Sequence, residues 1–263
     1  MKAIITGAAS GIGRAVAFQL SRNAATREGK APQVLLVDLN KEKLEEVAEL
    51  LRGEGVQAEI YAGDLTDPEV PAKVVAAAEK SFGGLDVLIS NAGIIGRATL
   101  LELNLADYDR AFQINTRATW LLGKAAHPLL SASKGCIVAT ASMSAFQPTS
   151  PLGAYSSSKA ALIMLVKQMA LEWGPDGIRC NTISPGSTHT GMTDQRFSDP
   201  AQREVAAARN PLHMVGSAEH QAAAICFLAS PEAAYITGAD ILVDGGMSTM
   251  LMKAAGAGDP WKK

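Results

Sequence analysis

Thr6-Gly7-Ala8-Ala9-Ser10-Gly11-Ile12-Gly13 joins a short apolar run, Lys2 to Thr6, to a segment that reads as a helix, Ile12 to Arg22. A strand feeding a helix through glycines at 7, 11 and 13 allows a tight turn and a close backbone approach to a bound group. The free N–H groups and the dipole at the helix start favour an anion such as a pyrophosphate. The same spacing also serves a plain glycine-rich turn with no ligand, so the rest of the chain has to decide.

Beyond that turn the alternation continues. Strands are expected at Val34 to Asp38, Ala58 to Tyr61, Val87 to Ser90, Cys136 to Ala141, Arg179 to Ser184 and Ile241 to Asp244. Between them the helices are Lys41 to Arg52, Glu69 to Phe82, Ala106 to Leu130, Ala154 to Trp173 and Ala218 to Leu228. Asp67 is expected to cap the Glu69 helix, with Pro68 at its first position. Apolar strands alternating with helices predict an α/β fold: one doubly wound, predominantly parallel seven-stranded sheet with helices on both faces. Ligands of such sheets bind beyond the carboxyl ends of the strands, where the strand order reverses. One domain over residues 1–263 accommodates the pattern. Asn23 to Pro32 reads as a long polar connector. Residues 187–210 read as a substrate loop containing one possible helix, Ala201 to Ala208, and residues 248–263 as a C-terminal tail.

Composition narrows the function classes. The chain has 263 residues, 48% hydrophobic and 19% charged, with a net charge of -2, which points to neither nucleic acid nor an anionic membrane. No run of ~18 apolar residues predicts a membrane span. The apolar start breaks at Thr6-Gly7, too early for a signal peptide. Cys136, Cys180 and Cys226 are far apart and odd in number, which argues against disulfides and a zinc site and fits a reducing cytoplasm.

Asp38 closes the second strand at the distance expected for a ribose contact. Its carboxylate can accept both adenosine ribose hydroxyls and repels a 2′-phosphate by ~4 kcal/mol at ~4 Å and an effective dielectric near 20. After solvent screening that favours NAD over NADP by roughly a hundredfold. Ser10 supplies no positive charge for such a phosphate. Asp38 also suits a helix cap at a strand end. Asp64-Leu65, after the third strand, fits either an adenine contact or a turn. Asn91-Ala92-Gly93, after the fourth, fits either backbone contact with the ribose or a structural turn.

Tyr155 and Lys159 lie one helical turn apart on one face. A neighbouring ammonium and a charged nicotinamide favour phenolate, which equips Tyr155 as a general acid–base for an alcohol or a carbonyl. Ser142, at the end of the fifth strand, is placed to hold the substrate oxygen. Asn115 sits in a helix, where an amide is disfavoured, and a buried role is expected of it.

In these pieces, with Tyr155-Ser156-Ser157-Ser158-Lys159, Pro185-Gly186, Ile236-Thr237-Gly238 and Val243-Asp244-Gly245-Gly246, the chain resembles the short-chain dehydrogenase/reductase family from about Lys2 to Gly246. The resemblance implies a Rossmann-type fold, a catalytic tetrad of Asn115, Ser142, Tyr155 and Lys159, and a water supported by Asn115 that links Lys159 to solvent. It also implies that Lys159 reaches the nicotinamide ribose and that Thr188 and Thr190 touch the nicotinamide carboxamide. Thr188 stands where the family often carries a branched aliphatic residue.

Met143, Ser144, Phe146, Thr149, Leu152, His189, Met192 and Phe197 are expected to choose the substrate, and their mainly apolar mixture suggests a hydrophobic alcohol or ketone. His189 fits either a second acid or a solvated loop residue. Trp120, Leu121, Leu165 and Met169 are expected to point outward, and the resemblance implies a four-helix interface of a homodimer or homotetramer. The reading is an NAD-dependent oxidoreductase. Its rivals are an NADPH-dependent ketoacyl-type reductase, which Asp38 opposes, and a non-catalytic NAD-binding protein, which the presence of Tyr155 and Lys159 opposes.

Overall fold

A computed structural model describes residues 1–29, 31–191, 193 and 197–250. Its main sheet comprises β1 (Lys2–Thr6), β2 (Gln33–Asp38), β3 (Gln57–Ala62), β4 (Val87–Ser90), β5 (Cys136–Thr140), β6 (Arg179–Pro185) and β9 (Asp240–Val243). The order is β3-β2-β1-β4-β5-β6-β9, with every pairing parallel. β7 (Thr188–His189) and β8 (Gly216–Ser217) form a separate two-stranded piece. The helices are α1 (Gly11–Glu28), α2 (Lys41–Gly53), α3 (Val70–Phe82), α4 (Leu105–Phe112), α5 (Ala118–Ser133), α6 (Tyr155–Trp173), α7 (Pro200–Ala207) and α8 (Ala218–Leu228).

The strands are continuous apolar runs because both sheet faces are covered; β4 and β5 are buried at every position. On one face α3, α5 and α6 bring Val74, Leu122 and Leu162 against Ile4, Leu88 and Ile137. On the other, α1, α2 and α8 bring Val16, Leu44 and Ile225 against Ile5, Leu36 and Val138. β1 pairs with β2 on one side and β4 on the other, so the strand order reverses there. The crevice beyond their carboxyl ends is the binding place such sheets provide.

Four local expectations are corrected. The polar connector after Arg22 is mostly helix: α1 runs to Glu28, because Ala24 is buried and Thr26 donates to the Arg22 carbonyl. Gly29 then ends the helix at φ 62°. Asp67 does not cap α3. It accepts the Glu69 N–H in a preceding turn, and the helix begins at Val70 with Pro71 in its first turn. The long Ala106 helix is interrupted by a five-residue π-helical segment, Gln113–Arg117. Met169 is buried in the core rather than facing outward, whereas Trp120 is exposed and Leu121 and Leu165 are half-buried. The possible helix in the substrate loop forms as α7, started by Asp199 accepting the Ala201 N–H.

A Cβ on Gly13 would lie 2.1 Å from the Gly7 carbonyl oxygen, whereas one on Gly53 meets nothing within 4 Å. Gly13→Ala is therefore expected to destabilise by about 1–3 kcal/mol or more through overpacking. Gly53→Ala, at a helix end, should be neutral or stabilising by up to about 1 kcal/mol. Thermal denaturation of both variants checks the contrast.

Candidate active site

The crevice is built around Thr6, the last residue of β1 and fully buried. Its Oγ1 accepts the N–H of Asn91 at 2.9 Å and of Ala92 at 3.0 Å, and donates to the Ile89 carbonyl. Asn91 in turn donates to the Thr6 carbonyl and accepts from Thr140 Oγ1 at 3.1 Å. The ends of β1, β4 and β5 are thereby clasped together. Asn91 and Ala92 thus tie the segment after β4 across the switch point to Thr6 and Thr140.

On the β1 side the glycine turn fits an anion. Gly7 and Gly11 have φ of 67° and 53°. A Cβ on Gly7 would meet Asn91 Nδ2 at 2.8 Å, and one on Gly11 would meet the Thr190 Cβ at 3.2 Å. Ser10 precedes α1 with an exposed side chain that makes no capping hydrogen bond among the described residues, and the first turn carries no acidic residue. The N–H groups at the start of that turn, including those of half-buried Ile12 and of Gly13, could hold an anion. Asp38 does not cap α2; Asn40 does, by accepting the Lys43 N–H. The Asp38 carboxylate instead accepts Leu39 N–H at 2.7 Å, Asn40 N–H at 3.2 Å and, across the turn, Ala9 N–H at 3.2 Å. Its charge is thus held against the glycine turn. Asp64 is a turn residue: Oδ1 accepts the Thr66 N–H at 2.9 Å, and that bond lowers its pKa. Leu65 beside it is buried.

On the β5 side Ser142, Tyr155 and Lys159 converge. Ser142 follows β5 and Tyr155 opens α6. Burial pushes the Tyr155 phenol up, and a hydrogen bond with Ser142 pulls it back. Lys159 Nζ lies 5.9 Å from the Tyr155 ring centre. The sequence expectation named the lysine as the group that lowers the phenol; the influence that opposes the lost hydration here comes from Ser142. Lys159 is 3% exposed and donates to the Thr140 carbonyl at 2.6 Å. Loss of hydration lowers its pKa to about 8.

Asn115, buried in the π-helical segment, places all its polar atoms: Oδ1 accepts Ile94 N–H at 2.9 Å, and Nδ2 donates to the Ile94 carbonyl and to Ser158 Oγ. It pins the segment following Gly93 to the turn of α6 that carries Lys159. A Cβ on Gly93 would fall 3.0 Å from Asn115 Oδ1 and 3.2 Å from Lys159 Nζ.

Pro185 is buried, and a Cβ on Gly186 would lie 2.6 Å from Asp244 Cα. Thr188 is buried and donates to the Gly186 carbonyl. Thr190 N–H donates to Thr193 Oγ1. The proposed substrate residues are dispersed. Ser144, Thr149 and Leu152 line a cavity of about 700 Å³ with Thr99, Ser156 and Ser157, and neither Ser142 nor Tyr155 lines it. Phe146 is exposed and Met143 half-buried. Phe197 is buried in a small satellite core with Ala206 and Val215, edge-on to half-buried His189 at 6.2 Å. That packing corrects the assignment of Phe197 to a substrate pocket. Met192 lies outside the described residues. Thr6, Thr140 and Ser158 carry much of the site's geometry and were not singled out in the sequence. Hydroxyl residues at strand ends beside the glycine turn and beside Lys159 were the available signal.

A family model described as enoyl-(acyl carrier protein) reductase matches residues 7–248. Two relatives are a 2-(S)-hydroxypropyl-CoM dehydrogenase of Xanthobacter autotrophicus, 36% identical over 94% of this chain and 96% of its own, and an L-rhamnose 1-dehydrogenase (NAD(P)(+)) of a Sphingomonas species, 35% identical over 93% and 94%. A solved structure of a putative NAD(P)-dependent gluconate 5-dehydrogenase from Beutenbergia cavernae, with bound NADP, superposes with a TM-score of 0.85 at 33% identity over 94% of this chain and 96% of that one. The chain belongs to the short-chain dehydrogenase/reductase family. It is an oxidoreductase acting on CH–OH groups, and a pyridine nucleotide is the supported cofactor. Among the described residues no helix is long and apolar enough to cross a membrane.

The low pKa of Lys159 has a consequence for stability. Its folded value of about 8 lies below its ordinary 10.5, so between those pH values the unfolded chain binds more protons and stability rises with pH. Below about 8 both states are protonated and the burial penalty is fully present. Lys159→Met removes that penalty but orphans the Thr140 carbonyl, for a net gain of roughly 1–2 kcal/mol at neutral pH. Denaturant unfolding at pH 7 and pH 10 should show the gain shrinking at the higher pH.

Proposed function

We propose that this chain interconverts a secondary alcohol and a ketone by hydride transfer with NAD, and that Tyr155, Ser142, Lys159 and Asn115 carry the chemistry. The observation that carries the reading is the gathering of Ser142, just after β5, and Tyr155 at the start of α6, with Lys159 Nζ 5.9 Å from the Tyr155 ring centre, at the carboxyl end of the sheet. Tyr155 takes the proton from the alcohol oxygen in oxidation and returns it in reduction. Ser142 holds that oxygen, donating to the charge that builds on it. Lys159 favours the phenolate electrostatically, and Asn115 fixes the distance between the segment after Gly93 and α6. A dinucleotide bound along the glycine turn would supply the hydride acceptor or donor. The glycine turn, the uncapped start of α1, Pro185-Gly186, Thr188 and Thr190 are the residues fitted to hold it.

Asp38 supports NAD. Its carboxylate is fixed against the Ala9 N–H, where the adenosine ribose of a dinucleotide on this turn would lie, and it repels a further phosphate. The rival NADPH-dependent reductase draws on the NADP-bound neighbour and on the description of the family model. Three buried thiols, none in a disulfide, fit a reducing cytoplasm. Exposed Trp120 on α5 and Met164 and Leu171 on α6 support a dimer or tetramer built on these helices.

Tyr155→Phe is expected to lower turnover of secondary alcohols by about 10²–10⁴-fold, with NADH binding retained. Wild-type oxidation should rise with pH, because the half-buried phenol has to lose its proton. Steady-state rates over a panel of secondary alcohols, with NADH and NADPH titrated by fluorescence, check both. Equal or tighter NADPH binding refutes the role given to Asp38. Light scattering is expected to give the mass of two or four chains, and Trp120→Glu should lower it; a wild-type monomer refutes the interface.

A further inference from the structure

α8 turns Gln221, Ala222, Ile225, Cys226 and Leu228 into the interior, and Gln221 alone of these carries an amide. It is 1% exposed. Amides are mostly exposed in folded chains, so a buried one is expected to be held by hydrogen bonds. Nε2 donates to Thr188 Oγ1 at 3.0 Å and to the Val243 carbonyl at 3.0 Å. The same carbonyl accepts the Gly186 N–H at 3.1 Å, and Thr188 Oγ1 donates to the Gly186 carbonyl at 3.1 Å. These bonds close a ring around the turn from Gly186 to Thr188. The amide orientation is fixed, because the Val243 carbonyl can only accept and Thr188 Oγ1 has already given its proton. Gln221 Oε1 is left buried with no partner among the described residues.

A core helix that carries an amide with one half unsatisfied gains from the other half, and that half holds Thr188. From there the chain runs through β7, whose Thr188 and His189 pair with Gly216 and Ser217 of β8. It continues to Thr190, which lies against Gly11. We infer that Gln221 is a positioning residue: acting through Thr188, it sets the Gly186–Thr190 segment against the glycine turn and so shapes the nicotinamide end of the cofactor site. Thr188 and Gln221 form a mutually dependent pair. Either hydroxyl and amide meet here, or two apolar side chains of similar size serve in their place. This rests on the dinucleotide reading for its functional meaning.

Three variants test it: Gln221→Met, which keeps length and removes the N–H; Thr188→Val; and both together. Hydrogen exchange over residues 186–190 is measured on the protein alone, and NADH affinity by fluorescence titration. Gln221→Met is expected to speed exchange across that turn and weaken NADH binding about tenfold, with the added Thr188→Val restoring most of both. Unchanged exchange over the turn overturns the inference whatever binding does. Faster exchange with unchanged affinity confines Gln221 to a structural role and also overturns it, as does a double variant worse than the sum of the single ones. If wild type binds neither NADH nor NADPH, the cofactor reading falls, and the inferred role of Gln221 at a cofactor site falls with it; the exchange data then report only whether the tie to Thr188 is real.

Discussion

One hydroxyl carries the geometry of the site. Thr6 Oγ1, itself fully buried, takes two backbone N–H groups from the segment after β4 and gives its proton to the Ile89 carbonyl. A parallel sheet separates its strands at the switch point, and the backbone groups exposed there need partners or water. Thr6 supplies those partners and leaves the crevice open for a ligand. The glycine turn begins one residue later, and Asn91 passes the constraint on to Thr140. The Thr140 carbonyl then receives the Lys159 ammonium. The glycine turn and Lys159 are therefore registered through one short chain of hydrogen bonds.

The chemistry sits in tension with stability. Lys159 is buried with a carbonyl for a partner, so its charge is held at the expense of folding. Tyr155 is half-buried, and its lost hydration opposes the ionised form that the proposed mechanism asks of it. In the proposed mechanism a cation beside the phenol would favour phenolate, and a phenolate beside the lysine would repay part of its lost hydration. The π-helical segment at Gln113–Arg117 serves the same end. It turns the Asn115 amide inward, where Ile94 and Ser158 satisfy it completely.

Most of the fold was legible because parallel strands buried on both faces leave uninterrupted apolar runs, and β1, β4 and β5 are such runs. Boundaries failed where tertiary contacts overrode local chemistry. Ala24 and the Arg22–Thr26 bond extended α1 through residues that look like a connector, and Asp67-Pro68 formed a turn one step ahead of α3. Tyr155 and Lys159 were legible from their helical spacing, and Asp38 from its place at a strand end. The substrate side was not. Phe197 reads as a pocket residue in sequence, yet it fills a satellite core with Ala206 and Val215. Thr6 and Gln221 were missed because a hydroxyl or an amide declares its role only through partners brought together by folding.

The central claim is that Tyr155 becomes a base when the oxidised cofactor joins Lys159 beside it. An ultraviolet titration of tyrosine ionisation, taken as the difference between wild type and Tyr155→Phe with and without saturating NAD, measures this without any knowledge of the substrate. The account predicts that NAD moves the Tyr155 signal to lower pH, below the ordinary tyrosine value of ~10. A phenol that ionises at or above that value with NAD bound would contradict it.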